Sequence, residues 1–230
     1  MKTERFLRNL TTLLFIFTIL GCASMPEVSD IERKPMRAVS VKPHQELRSW
    51  KRIRETNLIM QDSDFSCGSA ALATLMRYYF DDNKTEYEIL NNILKLLTPA
   101  EIRVREEKGL TLLDLKLCAE RLGYQAVGVQ LTLPVLAKLK GPVLIHLIKE
   151  EYKHFAVLRG IRDDTIYLAD PSRGNVRLRT WRFTEEWTGV ALILGKKGFG
   201  IPKEHGLSMS HDVPVQDFGI AVIRARNNLK

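Results

Sequence analysis

The chain has 230 residues, of which 45% are hydrophobic and 27% are charged, with a formal net charge of +8. This composition excludes wholesale disorder, a collagen-like repeat and a polytopic membrane protein. Three cysteines are too few and too scattered for a disulfide framework or a CxxC zinc site, and no basic-aromatic motif indicates nucleic-acid binding.

Residues 1–21 are predicted to be a lipoprotein signal peptide. A basic segment precedes an apolar run at 10–20, which is shorter than a membrane span and ends at Gly21-Cys22. This ending resembles the bacterial lipobox, so Cys22 is expected to carry lipid; the alternative is an uncleaved anchor helix. Ala23 follows the cysteine, and we therefore expect a lipid-anchored chain in the bacterial cell envelope, at the periplasmic face of the outer membrane.

Three further regions follow the signal peptide. Residues 22–55 are polar, contain three prolines and are predicted to be a lipidated tether, with a short helix around 45–54. Residues 56–196 are predicted to form the folded domain. Residues 197–230 are interpreted as a C-terminal tail, whose apolar patch at 218–222 can dock on the domain.

The first half of the domain is predicted to be helical. Small and apolar residues follow Cys67, a pattern that allows close helix packing, and the other helices begin at threonine caps. The expected helices are 67–80, Thr85 to about 97, a helix from Thr98, and Thr111 to 123.

The second half has the alternation typical of β-strands. The expected strands are 124–130, 143–148, 154–160, 165–169, 175–178 and 189–194, with a short helix at 133–139. Helices followed by a largely antiparallel sheet indicate an α+β domain, in which an N-terminal helical half packs on a C-terminal sheet.

Cys67 is the first candidate for chemistry. It follows a polar loop and begins an apolar helix, so its sulfur is expected at a helix N-terminus, where the partial positive charge stabilises a thiolate. A single buried cysteine is more often a core residue, and Cys118, in the middle of a predicted helix, is interpreted in that way.

His154 and Asp170 belong to consecutive predicted strands. His154 begins an apolar strand, where a polar side chain is unexpected, and Asp170 ends the next strand. With a turn within 161–164, antiparallel pairing is expected to bring Asp170 nearly opposite His154, within about one residue, and onto the same face. The histidine can then act as a base for Cys67 and protonate a leaving amine, while the aspartate orients the imidazole.

Gln61 lies six residues before Cys67. A side-chain amide and the backbone N–H of the nucleophile are the usual donors to the oxyanion of a thiol peptidase. Gln61 can supply the first and Cys67 the second. His146 alternates with apolar residues and is interpreted as a core residue, with a position lining the cleft as the alternative.

These residues carry a family resemblance. The motifs Gln61-x5-Cys67-Gly68-x-Ala70-Ala71-Leu72, His154-Phe155-Ala156-Val157-Leu158 and Asp170-Pro171 resemble the bacteriocin-processing (double-glycine) cysteine peptidase family, peptidase C39-like, which is papain-like in fold. Trp187-Thr188-Gly189 is similar to the closing segment of that domain. The resemblance implies a triad of Cys67, His154 and Asp170, with Gln61 in the oxyanion hole.

The chain departs from the transporter members of that family in two ways. Ser66 stands where those members usually carry an acidic residue, and no membrane domain or ATPase follows. The chain is thus similar to stand-alone lipoprotein or periplasmic members that accompany secretion systems, including those for functional amyloid. The expected partners are an exported protein or peptide substrate, the membrane through the N-terminal lipid, and a secretion apparatus.

The function expected from these observations is a membrane-tethered cysteine endopeptidase that cleaves an exported polypeptide. A papain-like amidase acting on cell-wall peptides is an alternative, although such enzymes usually have Cys-Ser-Gly where this chain has Cys67-Gly68-Ser69. A non-catalytic peptide-binding module for secretion is the other alternative. No cofactor is expected, and no metal, because the candidate residues do not have a zinc-ligand spacing.

Overall fold

The computed structural model describes residues 49–149, 152–209 and 216–217, the last pair as backbone only. The predicted signal peptide, Cys22, most of the predicted tether and the apolar patch at 218–222 lie outside these residues. The helix expected around 45–54 is described from Trp50 onward.

Helices dominate the first half of the described chain, as the sequence predicts. The first half contains α1 (Trp50–Arg54), α2 (Cys67–Tyr78), α3 (Glu86–Leu94), α4 (Pro99–Lys108) and α5 (Leu112–Arg121), and two shorter helices, α6 (Leu133–Leu136) and α7 (Thr180–Glu186), lie between strands of the second half. The caps at Thr85, Thr98 and Thr111 are confirmed: each threonine accepts the N–H of the residue three positions later, whose carboxylate accepts the threonine N–H in return. These reciprocal bonds satisfy backbone donors that have no partner within the helix.

The second half contributes a single mixed sheet. Its strands are β1 (Tyr124–Gln130), β2 (Val143–Lys149), β3 (Tyr152–Arg162), β4 (Thr165–Asp170), β5 (Gly174–Arg179), β6 (Trp187–Lys196) and β7 (Gln216–Asp217). They lie in the order β1-β6-β2-β3-β4-β5-β7, and every neighbouring pair is antiparallel except β5 and β7. The α+β class predicted from the sequence is confirmed.

Helix α7 was not predicted from the sequence. Its N-cap residue, Arg179, makes no side-chain capping bond, and the segment contains Trp181 and Phe183 in place of strong helix formers. Phe183 has no exposed surface and packs into an apolar cluster beneath the sheet. Tertiary burial of one aromatic side chain therefore compensates for weak local signals.

The sheet separates two apolar clusters. On one face α2, α3 and α5 pack against alternate residues such as Phe155 and Val157; on the other, α6 and α7 cover Ala156 and Leu158. The first part of the predicted tail belongs to the former cluster, because Leu207 is completely buried there.

Strands β3 and β4 pair in two registers that a bulge separates. Close to their turn, Gly160 pairs with Tyr167, whereas beyond the bulge Leu158 pairs with Leu168. Arg159 is the extra residue. An extra residue on one strand shifts the pairing by one position and so exchanges the faces that the following side chains occupy.

The bulge determines which face Asp170 shares. Without it, the register near the turn would place Asp170 opposite Val157, on the face away from His154. With it, Val157 pairs with Ala169, and the next position places Asp170 at Ala156, on the face of His154. The common face is as expected, but the offset along the strands is two residues rather than about one, because the turn lies at 163–164, where Arg162 pairs with Thr165, and the bulge at Arg159 then shifts the register by one.

Candidate active site

Cys67 is the first residue of α2, and only 2% of its surface is exposed. The first turn of this helix contains no acidic side chain, so the partial positive charge of the helix N-terminus is not cancelled by its own residues. The N-cap, Ser66, makes no capping bond to the helix. Its hydroxyl instead donates to the carbonyl of Ser63, at 2.8 Å, and closes the loop before the cysteine.

His154 connects the two halves of the domain. Its Nε2 donates to Oδ1 of Asp170 over 2.9 Å, and Cys67 lies close enough to raise the pKa of the imidazole. Since Nε2 is used by the aspartate, Nδ1 is the ring nitrogen left for the thiol. The structure therefore brings together the three side chains that the sequence singled out, from helix α2 and strands β3 and β4.

Burial and neighbouring charges together set the pKa values of His154 and Asp170. Burial lowers the pKa of His154, but the hydrogen bonds and negative charges of Asp170 and Cys67 outweigh it and raise the pKa to about 9. Burial likewise opposes ionisation of Asp170, yet His154 and Arg173 hold its pKa well below the usual range. The arrangement favours an imidazolium beside a carboxylate at neutral pH.

Gln61 lies at the start of the loop that leads to Cys67. Its backbone N–H donates to the carbonyl of Pro171, 3.0 Å away, which fixes the loop beside Asp170. Its Nε2 donates to the carbonyl of Ser63, and its buried Oε1 has no hydrogen-bond partner in the described part of the chain. The structure thus places Gln61 next to the triad, with its amide directed to its own loop.

Glu86 supports the same loop and was not singled out from the sequence. Its two carboxylate oxygens each accept the N–H of Asp62 at 3.1 Å, although the residue is only 6% exposed. Burial raises the pKa of this carboxyl. As the first residue of a well-capped surface helix it resembles a solvated acid, and only the packing of α3 against α2 brings it to the loop.

Two clefts share Lys108 and Lys153 in their linings, and neither is lined by Cys67, His154 or Asp170. One, of about 320 Å³, is lined by residues that include Phe65, Tyr152 and Lys153, and the hydroxyl of Tyr152 donates to the carbonyl of Asp64. The other, of about 330 Å³, is lined by residues that include Phe155 and His146.

His146 lines the second cleft and is half-buried rather than completely enclosed in the core. Its ring nitrogen Nδ1 lies 3.1 Å from the hydroxyl of Thr188, and its half-buried side chain packs on Phe155. A bulge between Ile145 and Leu147, where β2 pairs with β6, accompanies this placement. Burial, together with Lys153 and His154, lowers the pKa of His146.

The described residues carry neither a metal-binding cluster nor a membrane-spanning helix. Within residues 49–149 and 152–209, no group of three or more histidine, cysteine, aspartate or glutamate side chains is arranged to bind a metal ion. Over the same described residues, no helix is long and apolar enough to cross a membrane.

Cys118 is fully buried, with its thiol 3.8 Å from the carbonyl of Ile89, as expected of a core residue.

Comparisons with known proteins agree with this geometry. The model of the peptidase C39 family matches residues 55–198. The chain is 31% identical over 186 residues to the probable functional amyloid protease FapD of Pseudomonas fluorescens, covering 81% of this chain and 80% of that one. With the protein of the same name from Pseudomonas aeruginosa it is 29% identical over 156 residues, 68% of each chain.

A solved structure shows the same fold. The peptidase domain of Streptococcus ComA, a bifunctional ABC transporter, superimposes with a TM-score of 0.53 at 22% identity. The match covers 62% of this chain and all of that domain. The papain-like fold expected from the sequence motifs is therefore confirmed.

Proposed function

Because the chain belongs to the peptidase C39 family and is a cysteine peptidase, we propose that it is an endopeptidase in which Cys67, His154 and Asp170 form the catalytic triad. One observation carries this assignment. His154 donates a hydrogen bond to Asp170 and interacts electrostatically with Cys67, and this is the order in which an orienting acid, a base and a nucleophile act.

The reaction uses each side chain in turn. His154 takes the thiol proton, and the Cys67 thiolate attacks the scissile carbonyl carbon. The imidazolium then gives its proton to the leaving amine as the peptide C–N bond breaks, which leaves a thioester on Cys67. Water, deprotonated by His154, hydrolyses the thioester and restores the thiol. Asp170 keeps Nε2 as the protonated donor, so Nδ1 exchanges the proton with sulfur.

The oxyanion of the tetrahedral intermediate is assigned two donors. The backbone N–H of Cys67 lies in the first turn of α2, where N–H groups have no partner within the helix. The Gln61 amide supplies the second donor by turning from the carbonyl of Ser63, to which it donates over 2.9 Å. The loop that carries it is already anchored to Pro171, so only the side chain must rotate.

We propose that the substrate is an exported polypeptide and that the enzyme acts from a lipid anchor at Cys22 in the cell envelope, in support of a secretion system. The signal peptide and lipobox at residues 1–22 support the anchor. The relatives named functional amyloid proteases support a substrate among the secreted components of such a system.

A thiol-reactive peptide probe tests the assignment whichever polypeptide is the substrate. Cys67→Ala should abolish labelling and turnover, and His154→Ala should come close to this, because the thiol then lacks its base. Asp170→Asn should reduce the rate less completely. Gln61→Ala should reduce turnover by about 10²- to 10³-fold, the usual effect of removing one oxyanion donor, with little change in binding.

Cys118→Ala is the matched control, since it removes the other described free thiol, which is buried away from any base. It should label as the parent chain does. Substrate candidates are the exported proteins whose processing fails in a Cys67→Ala strain. If that strain processes and exports every protein normally while a full deletion does not, the chain is a peptide-binding module and the enzymatic proposal is wrong.

A further inference from the structure

Asp170 is bonded to much more than His154. It has no exposed surface, and Oδ1 also accepts the N–H and hydroxyl of Ser172, both at 2.9 Å, and the N–H of Arg173 at 3.0 Å. Its second oxygen, Oδ2, accepts Nε of Arg173 over 2.6 Å. The guanidinium and the imidazole therefore hold opposite sides of one buried carboxylate.

Arg173 is in turn anchored from helix α7. Its two terminal nitrogens lie 3.4 and 3.5 Å from Oε2 of Glu186, and the other oxygen of that carboxylate lies 3.4 Å from Nε of Arg182. Glu186 is only 8% exposed. The result is a row of alternating charges that runs from His154 through Asp170, Arg173 and Glu186 to Arg182. Charges that are removed from water in this way require such pairing.

We propose that Arg173, held by Glu186, is a positioning residue that fixes the Asp170 carboxylate and sets the upper pH limit at which the Cys67–His154 pair works. The proposal deepens the proposed function, because it rests on the roles of those two residues. Its structural basis is that Arg173 binds Oδ2, so only Oδ1 remains to meet Nε2 of the imidazole.

The direction of the effect follows from the charges around His154. Asp170 from β4 and Cys67 from α2 favour the imidazolium form of His154. His146 from β2 weakly disfavours it, because two nearby imidazolium charges repel each other. Arg173 shares the negative charge of Asp170 and so limits how strongly the aspartate holds the histidine proton. Glu186 partly neutralises Arg173 and weakens that limit. Removing the arginine and removing the glutamate should therefore move the titration of His154 in opposite directions.

The rate at which iodoacetate alkylates Cys67, followed by mass spectrometry from pH 4 to 11 on the mature chain, reports this titration without a substrate. The anion reacts best with a thiolate beside an imidazolium, so the rate falls as His154 loses its proton. For Arg173→Gln we expect the falling limb to move up by about one pH unit. For Glu186→Gln we expect it to move down by about half a unit. For Arg173→Lys, which keeps the positive charge, the falling limb should lie closer to that of the parent than it does for Arg173→Gln.

Arg179→Gln is the matched control, because it removes an exposed arginine at the far end of β5 and should leave the profile unchanged. Shifts of opposite sign for the two test variants support the proposal. Superimposed profiles, or shifts of the same sign, would overturn it, since a purely structural role predicts a common loss. If His154→Ala retains the parent profile, the failure instead lies with the proposed triad.

Discussion

At His154, burial and hydrogen bonding act on one side chain in opposite senses. The ring is only 6% exposed, which disfavours its charged form, yet Asp170 and Cys67 keep its pKa at about 9. The contribution of the Cys67–His154–Asp170 contacts to the free energy of folding therefore depends on whether His154 is protonated. A folded-state pKa above the usual value of about 6.5 means that the folded chain binds this proton more tightly than the unfolded chain does.

The first prediction concerns pH and stability. Protonated His154 should stabilise the fold fully below about pH 6.5, and this contribution should decline as the pH rises through about 9. The difference in free energy of unfolding between the parent and His154→Ala should thus shrink by about 3 kcal/mol between pH 6 and pH 9.5. Urea unfolding at both values measures it. A constant or growing difference would contradict the raised pKa.

Among the secondary-structure elements, the bulge in β3 is held by the hydrogen bonds of its extra residue, Arg159. The guanidinium of Arg159 donates to the carbonyls of Leu207 and Ser208, at 3.0 and 2.8 Å, and to Oδ1 of Asn175 at 2.6 Å. Burial lowers the pKa of Arg159 to about 10. The residue that shifts the register of β3 is thereby bonded to β5 and to the segment after β6.

The second prediction tests this network. Arg159→Met keeps the apolar stem but leaves three acceptors, two of them on the buried residues Leu207 and Asn175, without this donor, so it should reduce the free energy of unfolding by about 2–4 kcal/mol. Arg179→Met, which affects an exposed pair with Asp164 at 3.9 Å, should change it by less than about 0.5 kcal/mol. Denaturant unfolding compares the two. Equal losses would show that the network does not stabilise the bulge.

For the molecule as a whole, both ends of the described domain meet on the same side of the sheet. The amide of Asn175 donates to the carbonyls of Arg54 and Thr56, at 3.0 and 2.8 Å, so the end of the predicted tether is bonded to β5. The amide of Asn57 donates to the carbonyl of Gly206. The folded unit thus extends beyond 56–196 in both directions, because backbone acceptors on the flanking segments satisfy buried side-chain donors.

The third prediction concerns the anchor. Cys22 precedes Ser49, the first described residue, by 27 positions, a span of at most roughly 90–100 Å. With the anchor proposed at Cys22, this length of chain would allow the domain to reach substrates well away from the membrane. Cys22→Ala should abolish incorporation of radiolabelled palmitate and release the chain or leave it unprocessed, while Cys118→Ala should incorporate palmitate as the parent does. Equal incorporation of palmitate into the parent and Cys22→Ala chains would contradict lipidation at Cys22.

Local structure and the identity of the chemical groups could be predicted from the amino-acid sequence. Threonine caps at Thr85 and Thr98, and the alternation in strands such as 124–130, are short-range signals, because the bonds that define them join residues a few positions apart. The spacing of Cys67, His154 and Asp170, with the family motifs around them, was enough to select the residues that the structure brings together.

How those groups are held depends on long-range packing, which the sequence pattern did not reveal. The bulge at Arg159, which puts Asp170 on the face of His154, depends on acceptors supplied by distant segments. The pairing of Arg173 with Glu186 requires α7, a helix whose residues do not favour it locally. Contacts between residues far apart in the chain leave no periodic pattern in the sequence, since either partner alone resembles an ordinary surface charge.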